Sequence, residues 1–452
     1  MDNRQCETMK RQTHRHRMQK SGLTRALNLF DVTCLGINSV VGAGIFLLPG
    51  QLYGLAGGSS LWVFPLCGIL CLTIALCFAE MGGMYNTTGG AYLYTKEALG
   101  PFAGFLVGWM MWLSSIIGWA SVASGFILYL EYFIPAKSLW LGKIIGSVLI
   151  LSLSTINYLG VKPGARTVNF FTVGKLVSLA IFIGGGLCLI CRNALCVRVG
   201  VFPDAWVTEG LFREDFSKAV MVAIYAYTGF EFMVVPAGEM QRPQRDIPRV
   251  VFFVMAFVTF FYVVIQFVAI KTFPGLATSD KPLADAARYF MGPAGGILIG
   301  MGAILSIGGI NAGIALTSPR SLYALSSDGF FPKLFSRIHS DYHTPCWAIV
   351  VNTMLTLVLT FTGSFQYLIA ASVMVSILQY IPTCLSVILM RKYRPDAERS
   401  YKIPGGYGVP ILALIICGWL VCHVEVKIII ATAIAIVLSL PFYFARKSPD
   451  NS

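Results

Sequence analysis

Apolar runs of about 20 residues, separated by shorter polar segments, recur along the chain from Leu29 to about residue 445. A helix rising 1.5 Å per residue needs about 20 such residues to cross about 30 Å of hydrocarbon. The pattern predicts twelve spans, over 29–50, 59–82, 102–130, 139–158, 167–191, 217–238, 250–271, 294–318, 346–362, 367–390, 407–423 and 426–445. The expected fold class is therefore an all-α polytopic membrane protein. Residues 1–28 are polar and basic, and the apolar stretch after them continues to about Gly50. That is too long for the short core of a signal peptide, so it reads as a retained first span.

Two polar segments carry structure of their own. Residues 83–100, rich in Gly and Tyr, predict a short re-entrant or interfacial element. Residues 279–291 begin Ser279-Asp280-Lys281-Pro282, an acceptor followed by proline, and predict a short outer helix.

Composition agrees with the pattern. Only 12% of the 452 residues are charged and 56% are apolar, against about 25% charged in a soluble domain. A soluble enzyme, a nucleic-acid binder and a disordered scaffold are disfavoured. The excess of 34 Lys+Arg over 21 Asp+Glu gives +13, which becomes an orientation signal once placed on the spans. With the N-terminus inside, about two thirds of the basic residues fall on the inner segments, the bias that marks cytoplasmic loops. Both termini are expected to be cytoplasmic. The twelve cysteines lie mostly within apolar runs (Cys34, Cys67, Cys71, Cys77, Cys384, Cys417) and behave there as small hydrophobes. Cys188, Cys191 and Cys196 cluster near one span end, a weak metal signal. His14 with His16 fits a solvated tail, and His339 with His343 fits a polar loop, better than either fits a metal pair.

Span 1 reads Gly36-Ile37-Asn38-Ser39-Val40-Val41-Gly42-Ala43-Gly44-Ile45-Phe46. Two glycines bracket an alanine near mid-helix. A break there gives the second half a free N-terminus that can bind a carboxylate; close helix packing by small residues is the alternative. Span 6 carries a matching interruption, Tyr225-Ala226-Tyr227-Thr228-Gly229-Phe230-Glu231. Transporters built from inverted repeats place their site where two interrupted helices, one per repeat, meet at the midplane. Five-span repeats over 29–192 and 216–390 make spans 1 and 6 correspond. An outer loop over 193–215 joins them, and a cytoplasmic loop over 391–406 leads to two further helices over 407–445 and a tail over 446–452.

Lys175 lies in span 5, where a charge costs about 2.5–3.5 kcal/mol on insertion scales. It reads either as a stand-in for a coupling cation that exchanges protons, or as a brace on the loosened end of span 1. Glu80, near the inner end of span 2, is expected to snorkel or cap. Glu231 has three readings: ligand for a cationic side chain, proton-transfer group, or structural hydrogen-bond partner. Tyr225, just before the span 6 interruption, is a candidate gate over the substrate, with ordinary packing as the alternative.

Four ordered stretches resemble the amino acid–polyamine–organocation (APC) family of permeases. They are GINSVVGAGIFLLPG in span 1, FAEMGGMYNTTGGAYLYTKEALGPFAGFLVGW from span 2 into span 3, YAYTGFEFMVVPAGEMQRPQRDIPR in span 6, and SPRSLYALSSDGFFPKLFSRIHSDYHTP after span 8. The resemblance covers about residues 24–440. It implies the inverted five-plus-five repeat with two extra spans, alternating access and an α-amino acid substrate. The substrate carboxylate is then expected at Gly42, Ala43 and Gly44, and its amino group at carbonyls of Ile37 and of Tyr225, Thr228 or nearby residues including Gly229. A lysine in span 5 occurs in proton-coupled members and in exchangers, so Lys175 leaves both modes open, while its ammonium argues against sodium. Span 3 has no acidic residue in GWMMWLSSIIGWASVASGF, which weakens a site dedicated to cationic substrates. No cofactor and no metal are implied. An intramembrane enzyme would need paired catalytic groups, and no span shows a pair. A channel, a sensor on a transporter fold and a polyamine carrier are the remaining alternatives.

Overall fold

The computed structural model describes residues 22–133, 139–196, 215–362, 365–423 and 426–444. Their regular structure is helical, with one isolated parallel bridge pairing Leu27 with Met240. The α-helices are α1 Leu29–Val40, α2 Gly44–Ala56, α3 Ser60–Gly82, α4 Ala91–Leu99, α5 Pro101–Phe133, α6 Leu139–Tyr158 and α7 Val161–Cys196. They continue with α8 Phe216–Tyr225, α9 Pro243–Thr272, α10 Pro282–Ser327, α11 Cys346–Thr362, α12 Phe365–Tyr393, α13 Gly408–Cys422 and α14 Val426–Phe444. Six stretches are long and apolar enough to cross a membrane, and four shorter apolar helices accompany them. Several expected spans differ in extent. The first is two helices, the eighth follows a kink at Gly292 within α10, and the sixth is α-helical over Phe216–Tyr225 and then continues in turns.

Local chemistry explains the boundaries. Asn28 and Asp31 form a reciprocal cap at the start of α1, with Asp31 N–H donating to Asn28 Oδ1 at 2.9 Å and Asn28 N–H donating to Asp31 Oδ2 at 3.0 Å. Prolines open α9 and α10, where a missing N–H costs nothing. The expected outer helix begins at Pro282 and leads into the following span through a kink at Gly292, whose φ of +73° suits glycine. The segment 83–100 yields α4, which packs chiefly on α5 and α12.

Glycines make room for side chains of neighbouring helices, a packing device suited to a bundle in lipid. A Cβ on Gly68 of α3 would lie 2.3 Å from Thr259 Oγ1 of α9. One on Gly309 of α10 would lie 2.4 Å from Asn38 Oδ1, whose Nδ2 donates to Gly309 O at 2.6 Å. The helix α7 holds α1 along its length. Lys162 and Asn169 donate to Asp31 at 2.5 and 2.8 Å, Thr172 Oγ1 donates to Cys34 O at 3.2 Å, and Lys175 Nζ donates to Asn38 O and Val41 O at 3.1 and 2.6 Å.

The end of the bundle that carries Leu27 is tied by buried charge. Arg320 of α10 grips Glu239 in a two-pronged pair at 2.8 and 2.9 Å, with both side chains fully buried. Leu27 exchanges backbone hydrogen bonds with Glu239 and Gln241 beside it. Glu80 neither snorkels nor caps. It is buried, accepts both Nε and Nη2 of Arg391 and the Ile403 N–H, and lies 3.7 Å from Arg399 Nε. The burial follows from the last turn of α12, which brings Arg391, and from the loop after it, which brings Arg399 and the Ile403 N–H onto the end of α3. Lys96 Nζ donates to Asp328 Oδ2 at 2.6 Å, joining α4 to the end of α10.

Removing one partner of a buried pair strands the other charge, at a cost of about 3–5 kcal/mol. Glu239→Leu is therefore expected to lower the thermal midpoint of the detergent-solubilised protein by several degrees. The double variant Glu239→Leu/Arg320→Met is expected to recover most of the loss in the same melt.

Candidate functional site

The first interruption lies between α1 and α2. Val41 N–H still donates to Ile37 O at 2.8 Å, but Val41 itself leaves helical geometry (φ −77°, ψ 89°), and the helix resumes at Gly44. Non-helical backbone buried in a membrane protein needs its polar groups satisfied from elsewhere, and three other helices supply donors. Lys175 of α7 bonds the Asn38 and Val41 carbonyls, Ser306 of α10 donates to Val41 O at 3.2 Å, and the Tyr262 hydroxyl of α9 lies 3.2 Å from Val40 O. Lys175 thus has the geometry of a brace on the loosened end of span 1. Gly42, Ala43 and Gly44 remain partly accessible, between buried Val41 and Ile45.

The second interruption follows α8. Tight turns run through Ala226, Tyr227 and Thr228, and Thr228 Oγ1 donates to Tyr225 O at 2.8 Å. Gly229 then adopts φ +108°, and a 3₁₀ turn covers Phe230–Val234. A side chain at 229 is excluded twice. The φ is left-handed, and a Cβ would stand 2.2 Å from Ser39 O of α1. The two interruptions therefore touch. A Cβ on Gly44 would be 3.8 Å from Ala226 Cβ, and the Tyr262 hydroxyl, 3.3 Å from Ala226 O, bridges both segments.

Glu231 is buried. Its Oε2 accepts the Gly229 N–H and the Tyr380 hydroxyl of α12, each at 2.9 Å. Phe230 stacks on Tyr380 at 5.3 Å. Of the three sequence readings of Glu231, this is the geometry of the structural hydrogen-bond partner. Tyr225 is 41% exposed, whereas Tyr227 is buried with its hydroxyl on Phe64 O at 2.8 Å.

The structure brings Gly42, Ala43, Gly44, Tyr225, Thr228, Gly229 and Glu231 to one region, with Lys175 behind the first interruption. The Ile37 carbonyl is engaged by Val41 N–H. Sequence reasoning missed Tyr262, Ser306, Tyr380 and Ile310. The Cδ1 of Ile310 would lie 2.8 Å from a Cβ on Gly42. Each of the four is a common residue within an apolar run, and only a three-dimensional arrangement distinguishes it. Among the described residues no group of three or more His, Cys, Asp or Glu could hold a metal ion. Cys196, His14 and His16 lie outside the residues whose side chains are described.

Many apolar helices, with two interrupted segments meeting in the interior, define a multi-pass membrane protein of the permease class. Residues 27–445 match the amino acid permease family, and the chain belongs to it. Its relatives are transporters, not enzymes. The serine/threonine exchanger SteT of Bacillus subtilis is 29% identical, over 88% of this chain and 90% of its own. The branched-chain amino acid permease BcaP of the same organism is 27% identical over 94% and 93%. Its methylthioribose transporter is 27% identical over 89% and 88%.

Gly229→Ala adds a methyl group where the Ser39 carbonyl already stands. It is expected to reduce ligand-induced thermal stabilisation and transport to background while membrane insertion, read by fluorescence-detection gel filtration, persists.

Proposed function

We propose that the chain is a secondary active transporter that carries amino acids across the cell membrane by alternating access. The reading has twelve spans in an inverted five-plus-five repeat plus two helices, with both termini cytoplasmic. Amino acid transport is supported by the family and by two relatives named as an amino acid exchanger and an amino acid permease. The observation that carries the site is the meeting of the two interruptions. Gly42, Ala43 and Gly44 lie partly accessible at the N-terminus of α2, the end of a helix that favours a carboxylate. Backbone carbonyls around the second interruption, at Tyr225, Thr228 and Gly229, are the groups assigned to receive the ammonium. Tyr225 then closes over the substrate. The Lys175 ammonium fills the position a coupling cation would take beside the Val41 carbonyl, which argues against sodium. Proton-coupled import and exchange both remain compatible with it. The relative named as a methylthioribose transporter makes that compound the competing substrate to test.

The deciding experiment is a thermal-shift screen of the twenty amino acids and methylthioribose, followed by proteoliposome uptake with and without an imposed proton gradient. Stabilisation by amino acids and their saturable uptake are expected; stabilisation by methylthioribose alone would refute the reading. Gly44→Leu should abolish uptake in protein that still inserts, and normal uptake by it would remove the substrate from the span 1 interruption. Lys175→Ala should block transport or remove its dependence on the proton gradient. Full gradient-driven uptake by that variant would leave the lysine a brace only.

A further inference from the structure

We propose that the site selects neutral amino acids, and that Glu231 is a positioning residue for the span 6 interruption rather than a partner for a cationic side chain. The proposal rests on the amino acid reading above and narrows it.

The argument starts from the energetics of charge in a buried site. A charged substrate side chain held there needs a counter-charge, because an unpaired ion away from water is strongly disfavoured. The buried carboxylates among the described residues are Asp31, Glu80, Glu231, Glu239 and Asp246. Three are in ion pairs: Asp31 with Lys162, Glu80 with Arg391, and Glu239 with Arg320. Asp246 lies in the first turn of α9, sixteen residues or about 24 Å along that helix from Tyr262 at the interruptions. Glu231 alone lies beside the site, and its Oε2 is taken by the Gly229 N–H and the Tyr380 hydroxyl. The first of these bonds holds the left-handed turn, and the second ties that turn to α12. Turning the carboxylate toward a substrate would release both donors within the buried interior.

Opposite charge fares no better. Lys175 is the buried cation nearest the interruptions, and its ammonium is bound to the Asn38 and Val41 carbonyls. Among the described residues, the partly accessible side chains around the interruptions include Ser39, Ala43, Thr228, Phe232 and Ile310, together with exposed Tyr225, and the Ser39 hydroxyl donates to Leu35 O. The Thr228 hydroxyl is already turned back onto Tyr225 O. A largely apolar and aromatic surround, with the Ser39 and Thr228 hydroxyls turned onto backbone carbonyls and with Glu231 Oε2 and the Lys175 ammonium holding groups of the fold, fits an uncharged side chain.

The test uses the full-length wild-type protein and L-alanine, L-serine, L-leucine, L-arginine, L-lysine and L-glutamate. Neutral members are expected to raise the thermal midpoint and to enter proteoliposomes. The charged ones are expected to compete with the best neutral substrate at least about 100-fold more weakly, the scale set by leaving a buried charge without a partner. Glu231→Gln is expected to keep the ratio of KM values between neutral and charged substrates while lowering the maximal rate, because the turn at Gly229 is held less firmly. Saturable uptake of arginine, lysine or glutamate on the scale of the neutral substrates, whether or not Glu231→Gln removes it, would overturn the proposal and leave amino acid transport standing. Silence from every amino acid would overturn the transport reading and this proposal with it.

Discussion

Backbone hydrogen bonding inside a low-dielectric interior governs this molecule. A helix satisfies its own N–H and C=O groups, so a helical bundle is the natural state of so apolar a chain. Interrupting two helices where they meet releases carbonyls at Asn38, Val40 and Val41 and around Ala226. The residues that recover them come from elsewhere in the sequence: Lys175, Ser306 and Tyr262. Three helices are thus committed to holding a short non-helical stretch of chain. Their positions follow from that need as much as from apolar packing.

The same constraint accounts for the glycines. Where a neighbour comes close, the side chain is removed, as at Gly229 beside the Ser39 carbonyl and Gly309 beside the Asn38 side chain. Polar side chains that enter those gaps then find carbonyls directly, as Asn38 does on Gly309. At the Leu27 end, ion pairs join backbone hydrogen bonds as the tie. Charge is affordable there because Arg320 and Arg391 each meet a carboxylate with two nitrogens.

Much of this was legible in the order of residues. Apolar runs located most helices to within a few positions, since length and hydropathy alone decide whether a segment can span. The Gly-Ala-Gly of span 1 and the Thr-Gly of span 6 marked both interruptions, because glycine has a specific conformational meaning. Lys175 and Glu231 stood out because ionisable groups are rare in spans. What sequence could not reveal was pairing. Glu80 looked like a surface group near a span end, and only the fold brings Arg391, 311 positions later, onto it. Tyr262 and Tyr380 carry no distinguishing mark in the sequence, since a hydroxyl's partner is set by neighbouring helices. Ile310 is one isoleucine among many until Gly42 is placed against it.

The row of bonds from α7 onto α1 fixes the spacing of the chain as well as its contacts. Lys162, Asn169, Thr172 and Lys175 reach, in order, Asp31, Asp31 again, Cys34 and the pair Asn38 and Val41. A single residue inserted between Asn169 and Thr172 would turn everything beyond it by about 100° and advance it by about 1.5 Å. The lysine would then face away from the carbonyls it holds. This stretch of α7 is therefore intolerant of any change in length, even where individual apolar side chains between the four contacts can be exchanged. Insertions and deletions among relatives should fall outside residues 162–175.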